Sequence, residues 1–167
     1  LVTKWTLELD RGGAPVLSVF GGKLTTYRLL AEQAVDQLMP ILGRRAAPWT
    51  AGAQLPGGEF AGGDFDAFLA QVRQRYGWLP DSLTLRLARN YGTRIERILG
   101  DASSLASLGE PVLPGLYACE LAYLVQEEFA RTPQDILWRR TKLGLVAPPG
   151  AAERLQAWLD SAALAIA

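Results

Sequence analysis

The sequence predicts a mainly α protein, with a compact helical domain preceded by a β-hairpin and one helix. Three observations predict it. Apolar residues alternate near the N-terminus, then fall at helical spacing from Tyr27 onward. Helix start and stop signals recur from Asp64 onward. Between the two parts lies a stretch rich in Pro and Gly. The expected organisation is therefore residues 1–42, a linker over 43–63, and an all-α domain over 64–167.

The elements follow in order. In KWTLEL, residues 4–9, Trp5, Leu7 and Leu9 share one face, the period of a strand. Arg11-Gly12-Gly13 is a turn signal, and PVLSVF, residues 15–20, is the second strand. A lone hairpin is marginal in water, so these strands are expected to belong to a larger sheet. Tyr27, Leu30, Ala31, Ala34, Val35 and Leu38 form a helical stripe, with Thr25 or Thr26 as cap and Pro40 and Gly43 as stop.

Everything after Asp64 reads as helical, in about five or six helices. Asp64 caps a stripe of Phe65, Phe68, Leu69, Val72 and Tyr76. Asp81 or Ser82 opens the next helix, with Leu83, Leu87, Ala88 and Tyr91 inward and Gly92 past its end. Thr93 and Glu96 have the spacing of a capping box before Ile95, Ile98 and Leu99. Residues 115–130 carry Tyr117, Leu121, Leu124 and Val125 at helical spacing. Thr132-Pro133-Gln134-Asp135 has the pattern of a cap, a proline and an acid in the first turn. Pro148-Pro149-Gly150 precedes a last stripe of Leu155, Trp158, Leu159 and Ala162.

Composition narrows the function classes. Hydrophobic residues make up 49% of the 167, so the chain is globular. The 17 basic and 17 acidic residues cancel, which disfavours a nucleic-acid partner. There is no histidine, the usual general base and a common metal ligand. A single cysteine, Cys119, makes neither an internal disulfide nor a thiolate metal site, so no metal is expected. No apolar run reaches the roughly 20 residues of a spanning helix. The reading is a cytoplasmic chain, and its start at Leu1 reads as that of a fragment.

The stretch LSVFGGKLTTYRLLAEQAVDQL, residues 17–38, invites chemistry. A helix start carries unpaired N–H groups and about half a positive charge. Gly21 and Gly22 allow close approach, Lys23 adds a cation, and Thr25 and Thr26 add hydroxyls. That set suits an anion, or a group that becomes anionic. A plain strand-to-helix turn with a solvated lysine fits the pattern equally well. Neither the P-loop spacing nor a G-x-G-x-x-G fingerprint is present.

GGKLTTYRLLAEQAVD resembles a signature near the end of the flavin-binding domain of FAD-dependent glycerol-3-phosphate dehydrogenases. Residues 120–145, ELAYLVQEEFARTPQDILWRRTKLGL, resemble that family's second signature, in its helical C-terminal domain. The linker motif LPGGEF is also similar, and the three blocks occur in the family's order. The resemblance implies that residues 1–42 are the end of an FAD-binding α/β domain. It implies oxidation of sn-glycerol 3-phosphate to dihydroxyacetone phosphate, by hydride transfer to FAD, with electrons passed to a membrane quinone. It implies that Gly22, Lys23, Leu24, Thr25 and Thr26 contact FAD and that Lys23 also reaches the substrate. The fingerprint and histidine that the family uses are absent, so the chain alone is expected neither to hold FAD nor to turn over. No catalytic residue is expected within it. The missing N-terminal FAD domain is the expected partner, further copies of the chain are allowed, and the parent is expected at the inner face of the cell membrane. Two rivals stand beside this: a glycerol-3-phosphate oxidase, and a helical interaction or oligomerisation module without chemistry.

Other features have bland and sharp readings. Trp138 to Lys142 is a docking patch or a helix end whose cations oppose the dipole, with Arg139 or Arg140 paired to an acid such as Glu120 or Glu127. Residues 87–100 are a helix-turn-helix presenting Arg89, Arg94 and Arg97 to phosphate, or two helices of a bundle. The bundle is favoured because the net charge is zero. Glu127-Glu128 and Asp64/Asp66 read as solvated acids, Cys119 as a small buried hydrophobe, and the five tryptophans as packing residues.

Overall fold

In a computed structural model, residues 5–166 are described, and the chain divides into two compact units, Leu1–Gln54 and Leu55–Ala167. In the first unit, β1 (Thr6–Asp10) pairs antiparallel with β2 (Val16–Phe20). Lys4, the first residue of the expected strand, lies outside the described residues. The register sets Leu7 against Val19 and Leu9 against Leu17, so these four share a face. The helix α1 (Tyr27–Leu38) lies on that side, where Trp5 Nε1 donates to Gln33 Oε1 at 2.8 Å. The 3₁₀ turn Thr50–Gly52 is fastened to α1 through Glu32, which accepts from the Thr50 amide and hydroxyl and from Arg28.

No residue of β1, β2 or α1 is fully buried. The expected stripe on α1 is only partly sheltered: Leu30, Ala34 and Leu38 are half-buried, whereas Tyr27 and Val35 are exposed. A two-stranded sheet offers one helix too little surface to cover its apolar side.

The second unit holds the core. Asp64 caps α2 (Phe65–Arg75) by accepting the Ala67 N–H at 3.0 Å, and Phe68, Leu69 and Val72 face inward. Next come α3 (Asp81–Tyr91) and α4 (Ile95–Leu99), with Leu83, Leu87, Ala88, Tyr91, Ile95, Ile98 and Leu99 buried as their periodicity requires. Next, α5 (Ala118–Gln126) inserts Leu121 and Leu124, and α6 (Ala151–Ile166) adds Leu155. Burying each such leucine contributes about 1.5–3 kcal/mol.

The structure corrects three expectations. Residues 111–117 are not helical: β3 (Pro111–Leu113) and β4 (Leu116–Tyr117) form a small antiparallel ladder, with Gly115 at positive φ in its turn. Pro111 and Pro114 remove amide donors and make a helix there costly. The capping box of Thr93 and Glu96 does not form. Thr93 donates to Glu59 Oε2 at 2.7 Å and Glu96 pairs with Arg75, so tertiary partners take both side chains. Within the second unit, residues 55–60 pack against the turn after α3. Gly57 is buried, and its carbonyl accepts the Thr93 amide at 3.0 Å. A β-carbon on Gly92 would lie 1.8 Å from that carbonyl, so the crossing requires glycine. Finally, Trp49 and Trp138 are exposed and do not pack in a core. Around Trp138 the chain forms a π-helical turn, Asp135–Arg140, with the Thr141 amide reaching back to Ile136. Ile136 and Leu137 take its inward positions, which turns Trp138 outward against Gly144.

Thr132 and Asp135 form the reciprocal cap that their spacing predicts. Asp135 Oδ2 accepts from the amides of Arg131 and Thr132, while the Thr132 hydroxyl accepts the Asp135 amide.

Candidate functional site

The five residues picked from the sequence form one continuous turn between β2 and α1. Gly21 and Gly22 have φ of 78° and 113°, left-handed values that glycine adopts without steric cost. Lys23 is extended, and Leu24–Thr26 make a single 3₁₀ turn that runs into α1. Gly21 to Thr25 are all exposed, Leu24 to 89%.

The two threonines differ. The Thr26 hydroxyl folds back on Lys23, donating to its carbonyl at 3.0 Å and accepting its amide at 3.3 Å. It therefore closes the turn instead of capping α1. Thr25 keeps an exposed side chain at the helix start. First-turn N–H groups lack helical acceptors, and here they belong to Leu24 and Thr25. Together with the Lys23 cation, they make an exposed electropositive rim that can receive negative charge without rearrangement.

The helical unit contains a polar cluster that sequence reading missed. Glu120 is 2% exposed. Arg86 donates to both its oxygens at 2.7 Å and also to the Gly115 carbonyl, and the Tyr91 hydroxyl donates to Glu120 Oε1 at 2.6 Å. Burial disfavours the Arg86 cation, but Glu120 more than offsets this and raises its pKa. Burial and then Glu120 push the Tyr91 phenol far above its ordinary value, so it stays a donor. The helical stripe did mark Tyr91 as inward. Nothing local links Arg86 to an acid 34 residues on.

This cluster also corrects the expected pairing of the basic run. Arg139 bonds Asp135 at 2.7 Å, and Arg140 Nε donates to the Glu128 carbonyl at 2.9 Å with the Glu128 carboxylate 3.9 Å away. Glu120 is held by Arg86, and Glu127 by Arg97 and Arg94 at 3.1 and 3.7 Å. Arg94 and Arg97, two of the three candidate phosphate contacts, are thus engaged with an acid. Cys119 is half-buried, and burial, then Glu120, push its thiol up to about 11. Among the described residues, no group of three or more acids or cysteines is arranged to hold a metal, and no helix is long and apolar enough to cross a membrane.

In the chain an electropositive strand-to-helix turn precedes the helical unit, and the comparisons give the family. The family model for the C-terminal domain of alpha-glycerophosphate oxidase matches residues 49–164, and the chain belongs to that family. It is 49% identical over 159 residues to a glycerol-3-phosphate dehydrogenase of Pseudomonas aeruginosa, covering 94% of this chain and 31% of that protein. It is 44% identical over 157 residues to the aerobic glycerol-3-phosphate dehydrogenase of Escherichia coli, covering 93% and 31%. It is 39% identical over 161 residues to a D-erythritol 1-phosphate dehydrogenase of Brucella abortus, covering 96% and 32%. The chain spans about a third of the length of these relatives.

Proposed function

We propose that this chain is the C-terminal part of an FAD-dependent dehydrogenase that oxidises sn-glycerol 3-phosphate to dihydroxyacetone phosphate and passes the electrons to quinone. The exposed turn Gly21–Thr25 carries the reading. It lies before the matched C-terminal domain, in a stretch that the resemblance assigns to the end of a flavin-binding domain. FAD, when held by the whole protein, supplies the two-electron acceptor. Gly22, Lys23, Leu24 and Thr25 fit its anion-accumulating edge, because they offer exposed first-turn amides and a cation. Lys23 also serves the dianionic substrate by charge. Thr26 holds the turn's shape and acts through Lys23. No catalytic role is assigned to the helical unit, and the chain alone is expected not to turn over. The parent is placed at the inner face of the cell membrane, where quinone is available.

The test is a chimera that joins this chain to the portion of the P. aeruginosa relative preceding the match. It is expected to purify yellow and to bleach anaerobically on addition of sn-glycerol 3-phosphate, more slowly with D-erythritol 1-phosphate. Lys23→Ala is expected to slow bleaching roughly a hundredfold, the lower end of the cost of losing one transition-state charge contact. A colourless chimera, or one that bleaches only with the erythritol phosphate, overturns the proposal. Rapid reoxidation by oxygen without quinone would instead identify an oxidase.

A further inference from the structure

The position of α1 depends on polar ties, since none of its residues is fully buried. One tie is a closed ring of three side chains. Arg28 Nη1 donates to Glu32 Oε2 at 3.2 Å and to the Thr50 hydroxyl at 3.1 Å. Glu32 Oε1 accepts from the Thr50 amide at 3.3 Å and from the same hydroxyl, which thus accepts from the cation and donates to the carboxylate. The Glu32 side chain is 17% exposed, and the Thr50 hydroxyl, helped by Arg28, outweighs burial and holds its carboxyl below the ordinary value. Local helix energetics do not account for the ring. A cation in a first helical turn opposes the dipole, and Arg ahead of Glu is the weaker order for a pair four residues apart. Thr50 completes the ring, brought back to α1 from beyond the helix end at Leu38. It lies inside the stretch that matches the C-terminal domain family, residues 49–164, yet belongs to the first compact unit, which runs to Gln54. The leading residues of that domain are therefore fastened to the helix that carries the electropositive turn.

We propose that Glu32 is a positioning residue for the turn: with Arg28 and Thr50 it locks the first turns of α1 to the leading residues of the C-terminal domain, and so holds Lys23 and the first-turn amides in their orientation. Both ends of the electropositive turn rest on those helical turns. Thr26 runs directly into Tyr27, and a β-carbon on Gly22 would lie 3.1 Å from Leu30 Cδ2, between the two α1 members of the ring. The ring also ties up the Arg28 charge, so Lys23 supplies the cation of the rim. This rests on the proposal that the turn faces a flavin and its substrate. It adds which residues set the turn's geometry, and that they come from both sides of the boundary at residue 49.

Glu32→Ala, Thr50→Val and Thr50→Ser, each made in the same chimera and in the separate chain, test this. In the chimera, Glu32→Ala and Thr50→Val are expected to slow anaerobic bleaching at saturating sn-glycerol 3-phosphate roughly tenfold, because a small displacement of Lys23 weakens a contact made in the transition state. The half-saturating concentration is expected to stay within about twofold, since charge attraction to the substrate survives that displacement. Thr50→Ser keeps the hydroxyl and is expected to restore the rate. In the separate chain, α1 amides from Ala31 to Val35 are expected to exchange at least about tenfold faster in Thr50→Val than in the native chain or Thr50→Ser, with α3 amides unchanged. Native exchange in Thr50→Val overturns the inference. Faster exchange with unchanged bleaching reduces the ring to a structural tie and overturns the positioning role, as does slow bleaching that Thr50→Ser fails to restore. A chimera that is colourless with the ring intact overturns the enzymatic reading instead; faster exchange in Thr50→Val then still supports the ring as what fixes the turn.

Discussion

Replacing Glu120 by Ala tests the buried ionic cluster of Glu120, Arg86 and Tyr91. The substitution removes two charge-assisted bonds from Arg86 and the acceptor of the Tyr91 hydroxyl. Breaking a buried pair from one side costs about 3–5 kcal/mol. The Arg86 side chain is 20% exposed and keeps the Gly115 carbonyl, which points to the lower end, about 3 kcal/mol. The stranded Tyr91 hydroxyl adds about 1 kcal/mol. The sum, about 4 kcal/mol, is a large share of the 5–15 kcal/mol that holds a typical domain together. Tyr91→Phe is expected to cost only about 1 kcal/mol, because Glu120 keeps its arginine. The double variant Arg86→Met with Glu120→Leu is expected to recover most of the loss, since no charge is left unpaired. Urea unfolding followed by circular dichroism measures all four, with an unchanged denaturant slope as the check that the states compared are the same. A Glu120→Ala cost below about 1 kcal/mol, or a double variant no more stable than Glu120→Ala, would refute the reasoning.

Three further outcomes are expected. Gly92→Ala should cost more than about 3 kcal/mol in a thermal melt, because its β-carbon would overlap the Gly57 carbonyl; Gly100→Ala, at similar φ but in open space, should cost less, about 1–3 kcal/mol from backbone strain alone. The Asp135 carboxylate is held well below its ordinary range, first by the Arg131 amide and then by Thr132 and Arg139. A depressed carboxylate gives stability above its unfolded value near ~3.9, lost as pH falls through the folded value, so Asp135→Asn should lower the melting temperature at pH 6 and match wild type only in strong acid. Cys119, with its thiol near about 11, should alkylate slowly at pH 8 and faster in Glu120→Gln, which removes the neighbouring charge; a rate equal to that of free cysteine would contradict the burial seen.

Much of the helical unit is legible from spacing. Phe68, Leu69, Val72, Leu83, Leu87, Ile95, Leu121 and Leu124 lie where a 3.6-residue period puts them. Asp64 and the Thr132–Asp135 pair cap as their positions require, because caps need only neighbours within one turn. The turn at Gly21–Thr26 is legible for the same reason, and so is the family, whose signatures are continuous stretches of chain.

Side chains with a choice of partners behaved otherwise. Thr93 and Glu96 had the spacing to cap each other, yet each bonds a residue more than twenty positions away. Glu120 sits beside one arginine and not another only because α3 and α5 come together in the folded unit. Local hydrogen bonds and periodicity are short-ranged and are written along the chain. The partners of a charge and the crossing of Gly57 and Gly92 exist only once distant segments share the same space.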